Sequence, residues 1–142
     1  MRASFFFLTP LLMTCGMLLS ESAKSSRLKI RIQGVKNGKG SINIALYKTD
    51  SDFSTEKYAY VTRIPASSDT AVFEKIDPGT YGVAVFHDEN ENLRLDRNFA
   101  GMPAEGYGFS NNAKGTFGPP SFKATAVQIN QPEITLNIKL NY

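Results

Sequence analysis

Apolar and polar residues alternate along much of the chain after residue 27. In residues 28–32 every second side chain is a leucine or an isoleucine, and the residues between them are charged. A period of two is typical of a strand that buries one face and exposes the other. Residues 37–40 (Asn-Gly-Lys-Gly) predict a hairpin turn, because asparagine and glycine accept positive φ angles. The alternation returns in residues 42–46, so the pattern predicts two consecutive strands.

Further apolar segments predict more strands, and helical periodicity is limited to a single turn near residues 51–57. Short strands separated by turns, such as the turn at Asp77-Pro78-Gly79, are typical of a sandwich. We therefore predict an all-β protein, an antiparallel β-sandwich of about seven strands, immunoglobulin-like in type, with one long ordered loop. The further strands are expected at residues 59–64, 70–76, 81–86, 124–129 and 134–140.

The first 23 residues predict a secretory signal peptide. Arg2 supplies a positive charge, residues 5–19 are mostly apolar, and the small residues around Ser22 and Ala23 suit cleavage. Thr9-Pro10 interrupts the apolar stretch, so a retained membrane anchor is the less favoured alternative. The sequence thus predicts a signal peptide at 1–23, a single domain at 24–142, and a periplasmic or secreted location.

Cys15 is the one cysteine of the chain. Lipoprotein anchoring at Cys15 is not favoured, because the preceding Leu12-Met13-Thr14 lacks the small residue that such a signal uses and the apolar run continues beyond it. After cleavage the chain would contain no cysteine. Its stability would then come from an apolar core and not from disulfides.

Charge is distributed unevenly along a chain whose net charge is +3. Residues 24–48 carry seven Lys or Arg and no acid, whereas residues 50–96 carry ten acids and four bases. The bases at 27, 29 and 31 occupy the polar phase of a strand, where a soluble sheet exposes charge to solvent. This solvent-facing charge pattern, together with the predicted export of the protein, argues against nucleic acid as a partner. The expected partner is a ligand or an envelope protein, with no transmembrane segment in the mature chain.

Residues 88–122 form the longest stretch without a strand or helix pattern. A loop of 35 residues far exceeds the usual length, and such loops are commonly functional. It contains five aromatic residues and five glycines, which favour an ordered loop packed over the sandwich. We predict that this loop binds the ligand or partner. The candidate binding residues are Tyr107, Phe109, Asn111 and Asn112.

The start of this loop has the spacing of a calcium site. Oxygen-bearing side chains at positions 1, 3, 5 and 9 match the first part of a calcium-binding loop. The match is incomplete, because Leu93 replaces the usual glycine and Phe99 the usual glutamate. Calcium is therefore an open alternative to a set of Asp and Asn turns, which we favour. The four candidate metal ligands are Asp88, Asn90, Asn92 and Asp96.

His87 is the only histidine, and it precedes Asp88 at a predicted strand end. This pair could serve acid–base chemistry, with Ser110 or Ser121 as a nucleophile, so a metal-dependent hydrolase is one alternative function. The spacing does not require this arrangement. We favour a hydrogen-bonded structural histidine that anchors the loop, and assign no catalytic residue.

Four segments of the chain resemble the bacterial domain-of-unknown-function family 2141. They are residues 77–81 (Asp-Pro-Gly-Thr-Tyr), 86–90 (Phe-His-Asp-Glu-Asn), 105–112 (Glu-Gly-Tyr-Gly-Phe-Ser-Asn-Asn) and 118–122 (Gly-Pro-Pro-Ser-Phe). The resemblance extends over about residues 27–142. It implies a secreted or envelope protein with one small β domain and no assigned reaction.

The resemblance also bears on the calcium alternative and on the fold. The family's loop usually has glycines where this chain has Glu91 and Leu93, which weakens the calcium hypothesis here. The Pro-Gly-Thr-Tyr turn at residues 78–81 is similar to that of transthyretin-like and carboxypeptidase-regulatory-like domains. This similarity concerns the fold and carries no function.

The function that we favour from sequence is an exported, non-catalytic β-sandwich module of unknown specific role. It would bind a ligand or partner through residues 88–122, and exposure of Tyr107, Phe109 and Phe117 would support it. The alternatives are a hydrolase using His87 and Asp88, and a calcium-stabilised structural envelope protein.

Overall fold

The computed structural model describes residues 25–142, so the predicted signal peptide and Cys15 lie outside the described residues. Residues 25–142 form eight strands and three short helical segments, α1 (Asp50–Ser54), a 3₁₀ turn (Ser110–Asn112) and α2 (Phe122–Thr125). The strands are β1 (Ser26–Gln33), β2 (Ser41–Tyr47), β3 (Tyr60–Pro65), β4 (Thr70–Ile76), β5 (Gly79–Asp88), β6 (Tyr107–Phe109), β7 (Val127–Ile129) and β8 (Glu133–Lys139).

The strands form two sheets. One has three strands in the order β4-β1-β8, and the other has the order β3-β2-β5-β6, with β7 paired to the start of β5. All pairs are antiparallel except β1 and β8, which run parallel from Arg27↔Glu133 to Gln33↔Lys139. This confirms the predicted all-β sandwich and adds one parallel pair to it.

The core lies between the two sheets and follows the predicted alternation. Leu28 and Ile30 of β1 face Ile42 and Ile44 of β2, and Val83 of β5 is also fully buried. A leucine or isoleucine side chain that is fully removed from water stabilises the fold by about 1.5–3 kcal/mol. The inward faces of the strands are thus committed to the core, and the outward faces remain for function.

Three predictions differ from the structure. The predicted hairpin turn at residues 37–40 is wrong, because β1 and β2 lie in different sheets and do not pair with each other. The segment predicted as one strand at 124–129 begins as α2, because the Ser121 hydroxyl caps it by accepting the N–H of Ala124 at 3.3 Å. Only Val127–Ile129 is strand. The predicted loop at 88–122 contains β6, which pairs with residues 84–86 of β5. A three-residue strand is too short to show a period of two.

Within residues 25–142, no helix is both long and apolar enough to cross a membrane. The helical segments instead connect strands at one end of the sandwich. The longest of them, α1, has five residues and begins at Thr49, whose hydroxyl accepts the N–H of Asp52 at 3.0 Å.

Buried tyrosines predict a loss of stability at alkaline pH. Burial raises the pKa of Tyr47 and Tyr81 above the ordinary value of 10.0. A pKa that is higher in the folded state gives stability that is complete below about pH 10 and is lost as pH rises through the folded values. We expect the free energy of unfolding in urea to fall above about pH 10, in step with tyrosinate absorbance. An unchanged free energy of unfolding at pH values where tyrosinate forms would contradict this.

Candidate functional groove

The outward face of the five-stranded sheet carries an apolar row where solvent-facing strands usually carry polar side chains. The pairing register aligns Val61 of β3, Ala45 of β2, Ala84 of β5 and Phe109 of β6 in one row across the sheet. The two central members are alanines and reach only one carbon above the sheet. This alanine row therefore forms a low floor between taller neighbours.

Larger side chains stand on both sides of the alanine row. On one side Tyr47 is the next outward residue of β2, and Phe53 and Tyr58 pack on it with ring centroids 5.1 and 5.6 Å away. On the other side Phe86 lies beside Leu93, which follows the end of β5. The alanine row thus becomes the bottom of a groove that crosses the strands.

The groove consists of two adjoining hollows of about 270 and 450 Å³. Volumes of about 300–1,000 Å³ are usual for small-molecule sites, so the larger hollow is within this range and the smaller one is just below it. The larger hollow extends along β6 towards Pro119 and has charged groups at its rim. Those charged rim residues are Glu56, Arg94 and Arg97.

The aromatic walls of the groove are fixed by contacts with each other. The ring centroids of Phe53 and Phe109 are 5.9 Å apart, and those of Tyr107 and Phe109 are 6.1 Å apart. Both pairs have edge-to-face geometry. Edge-to-face pairs add about 0.5–1.5 kcal/mol each beyond burial. The groove is therefore a preformed feature whose walls require little ordering when a ligand binds.

The structure separates the four candidate binding residues into two pairs. Tyr107 and Phe109 are half-buried and line the larger hollow. The Asn111 side chain donates to the carbonyls of Ala124 and Ala126 at 3.1 and 3.0 Å. The Asn112 side-chain oxygen Oδ1 accepts the backbone N–H of Lys139 at 2.9 Å. The two asparagines thus tie the end of the loop to the sandwich, while the two aromatic residues face the groove.

The four candidate metal ligands form one hydrogen-bonded cluster. The buried Asp88 carboxylate accepts the N–H groups of Asn92 and Leu93 at 3.1 and 2.8 Å. The Asp96 carboxylate accepts the side-chain amides of Asn90 and Asn92 at 2.7 and 2.9 Å. These contacts are the Asp and Asn turns that the sequence favoured. In the chain from residue 25 onward, no three His, Cys, Asp or Glu side chains are grouped to hold a metal ion.

Because hydrogen bonds already close this loop, we expect little response of the protein to calcium. Millimolar calcium chloride should leave the melting temperature of the purified protein within about 1 °C of its value in chelator. Magnesium chloride at the same concentration controls for ionic strength. A rise in melting temperature that chelator reverses would contradict this expectation and would favour the calcium alternative.

Two residues of the same turn adopt a strained backbone conformation. Glu91 and Leu93 have φ angles of 61° and 64°, in the left-handed region that favours glycine. A residue with a Cβ loses about 1–2 kcal/mol there. The left-handed backbone conformation of Leu93 places its apolar side chain, which is 62% exposed, on the edge of both hollows.

Glu105, which the sequence did not single out, holds this turn against the sandwich. Its carboxylate is buried and accepts the N–H of Glu89 at 2.9 Å and the N–H of Asp96 at 3.0 Å. One side chain thus clamps both ends of the segment that carries Leu93. A glutamate inside the apolar and glycine-rich stretch at 101–109 was the available signal.

His87 is fully buried, and both ring nitrogens have partners. Nε2 lies 2.7 Å from the carbonyl oxygen of Lys39, which only accepts, so Nε2 carries a proton and donates. The Tyr142 hydroxyl lies 2.7 Å from Nδ1 and accepts the N–H of Lys36 at 2.9 Å, so it donates to Nδ1. His87 thus bonds to the connection between β1 and β2 and to Tyr142, as expected of a structural histidine.

The serines considered as nucleophiles also have structural hydrogen bonds. The buried Ser110 hydroxyl accepts the N–H of Val83 at 3.0 Å and donates to the carbonyl of Thr125. Ser121 caps α2. Neither hydroxyl bonds to His87, whose partners are Tyr142 and Lys39. This geometry supplies no assembled set of nucleophile and base.

In residues 25–142, the sandwich, the alanine-floored groove and the clamped loop define a β-sandwich with a preformed surface groove. A bacterial family profile matches residues 30–137, and the chain belongs to that family, described as "Uncharacterized protein conserved in bacteria (DUF2141)". The match confirms the family inferred from the Phe86–Asn90 and Glu105–Asn112 segments. Comparison with curated proteins and with solved structures finds no match.

Proposed function

We propose that this chain is an exported, non-catalytic binding module that holds an apolar segment of a partner polypeptide in the groove. The proposal rests on the groove. Its main support is Leu93, an exposed leucine that is held at a φ angle of 64° on the edge of the groove. Strain of this kind persists where the surrounding structure fixes it, and it concentrates at functional sites. Export is supported by the signal-peptide pattern of residues 1–23.

The chemistry of the groove favours a polypeptide as its occupant. Aliphatic Val61 and Leu93, each 62% exposed, suit apolar side chains better than hydroxyl-rich sugars. The rim has Glu56 as well as Arg94 and Arg97, so charges of both signs are present. Charges of both signs complement a peptide, which carries polar backbone and charged groups, but not an acyl chain.

Selection from a displayed peptide library on the purified protein, followed by affinity measurement, tests the proposal. Val61→Arg places a charge at the end of the alanine row, and we expect it to weaken the selected peptides at least about tenfold. The matched control is Val72→Arg, an exposed valine on β4 of the other sheet, which should leave affinity unchanged.

A second variant, Leu93→Gly, separates binding from folding. Glycine relieves the left-handed strain, so we expect stability in urea to rise by up to about 1 kcal/mol while peptide affinity falls. Weaker binding by a more stable protein cannot be attributed to unfolding. Failure to enrich any peptide, or enriched peptides insensitive to both groove variants, would overturn the proposal.

A further inference from the structure

Two loop tips beside the groove expose phenylalanine side chains completely. Phe99 and Phe117 are 106% and 102% exposed, respectively. Phe99 lies at the end of a small hairpin closed by the bridge between Arg97 and Pro103 and by the N–H of Asn98 bonding to Met102 at 2.8 Å. The phenylalanine is therefore presented by hydrogen-bonded backbone and not by a loose segment.

Phe117 occupies the tip of a second tight turn at residues 115–118. A Cβ at Gly115 would overlap the carbonyl oxygen of Gly118, which shows how closely the two sides of this turn approach. Pro119 and Arg97 line the same hollow, and each is two residues from its phenylalanine. Both tips thus adjoin the larger hollow of the groove.

In residues 93–123, the segment that carries both tips, every exposed charged side chain is a base. Within residues 93–123 the bases are Arg94, Arg97, Lys114 and Lys123, and all four are exposed. The two acids of this segment are engaged by hydrogen bonds, since Glu105 accepts backbone N–H groups and Asp96 accepts amide side chains. This segment therefore combines two exposed phenylalanines with four exposed bases, and Glu56 of another segment shares the larger hollow with Arg94 and Arg97.

We infer that the Phe99 and Phe117 tips dock on a membrane surface that contains anionic phospholipid. Phenylalanine side chains insert at the boundary between headgroups and acyl chains, and nearby Lys or Arg side chains are attracted to an anionic leaflet. Met102, 60% exposed beside the first tip, adds apolar surface. Neither phenylalanine lines the groove, so the apolar contacts of this attachment differ from those of the proposed peptide site, although Arg94 and Arg97 border both.

Co-sedimentation of the purified protein with vesicles tests this inference. We expect binding to phosphatidylcholine vesicles that contain phosphatidylglycerol, much weaker binding to phosphatidylcholine alone, and weakening as salt rises. The double variant Phe99→Ser/Phe117→Ser should lower the partition coefficient at least about tenfold. The double variant Lys114→Gln/Lys123→Gln should lower binding to the vesicles that contain phosphatidylglycerol, and it should leave binding to phosphatidylcholine vesicles unchanged.

Val72→Ser, at an exposed valine on the other sheet, is the control and should bind vesicles like the unaltered protein. Unaltered melting temperatures for the serine variants would show that they fold. Absence of binding to anionic vesicles, or binding that survives loss of both phenylalanines, would overturn the inference. So would self-association through the tips in the absence of lipid, which would assign them to a protein contact.

Discussion

Gly40→Ala is expected to destabilise the fold by about 3 kcal/mol or more. Gly40 has a φ angle of 69°, and a Cβ there would overlap the carbonyl oxygen of Asp88 and lie 2.9 Å from the Cα of Glu89. Both neighbours are backbone, so relief requires the end of β5 to move away from the start of β2. The Asp88 carboxylate, which organises the Leu93 turn, would move with it.

Gly38→Ala is the matched control, two residues away in the same connection between β1 and β2. No atom lies within 4 Å of a Cβ at Gly38, and its φ angle is outside the left-handed region. Alanine there should stabilise slightly, by up to about 1 kcal/mol, because it restricts the unfolded chain. Urea unfolding of both variants gives the comparison. Equal stability of the two would show that the end of β5 yields without loss, contrary to the geometry.

Glu105→Ala is expected to destabilise the protein by about 2 kcal/mol or more. The substitution leaves the N–H groups of Glu89 and Asp96 without their carboxylate acceptor. It also releases the turn that places Leu93 on the groove, so peptide affinity should fall together with stability. Urea unfolding measures the first effect, and hydrogen exchange at the amides of residues 89 and 96 measures the loss of the clamp.

Glu105→Gln separates the acceptor geometry from simple loss of the side chain. Glutamine keeps one acceptor oxygen of similar reach, so its stability should lie between those of the unaltered protein and the alanine variant. Faster exchange confined to residues near 89 and 96 would locate the effect. If the free energy of unfolding of the alanine variant lies within about 0.5 kcal/mol of that of the unaltered protein, water replaces the carboxylate as acceptor and the clamp is unimportant for stability.

The strands were predictable where one face is buried and the other is charged. The alternation around Leu28 and Ile30 predicts β1 because burial on one side of a strand imposes a period of two on its sequence. β6 was missed because Tyr107–Phe109 is three residues long with a glycine at its centre. The parallel pairing of β1 with β8 has no local signature, since it depends on how the two sheets close.

The groove was predictable only in part. Tyr107 and Phe109 stood out as loop aromatics, but Tyr47, Tyr58 and Val61 join them through strand register, which no single segment encodes. One signal was present in the sequence. The solvent phase of β2 and β5 is apolar at Ala45, Ala84 and Phe86, where an exposed sheet face would ordinarily be polar. An apolar outward phase on two adjacent strands points to a covered or binding face.

The parallel pairing of β1 with β8 has a consequence for how this protein folds. Leu28 pairs with Ile134, so the three-stranded sheet closes a loop of more than 100 residues between strands at opposite ends of the domain. Closing so long a loop costs conformational entropy before the hydrogen bonds of the pairing can compensate for it. Non-local topologies of this type fold in milliseconds to seconds. Until β8 has been synthesised, one edge of β1 lacks its hydrogen-bonding partner. The three-stranded sheet therefore remains incomplete until translation of the domain is nearly finished.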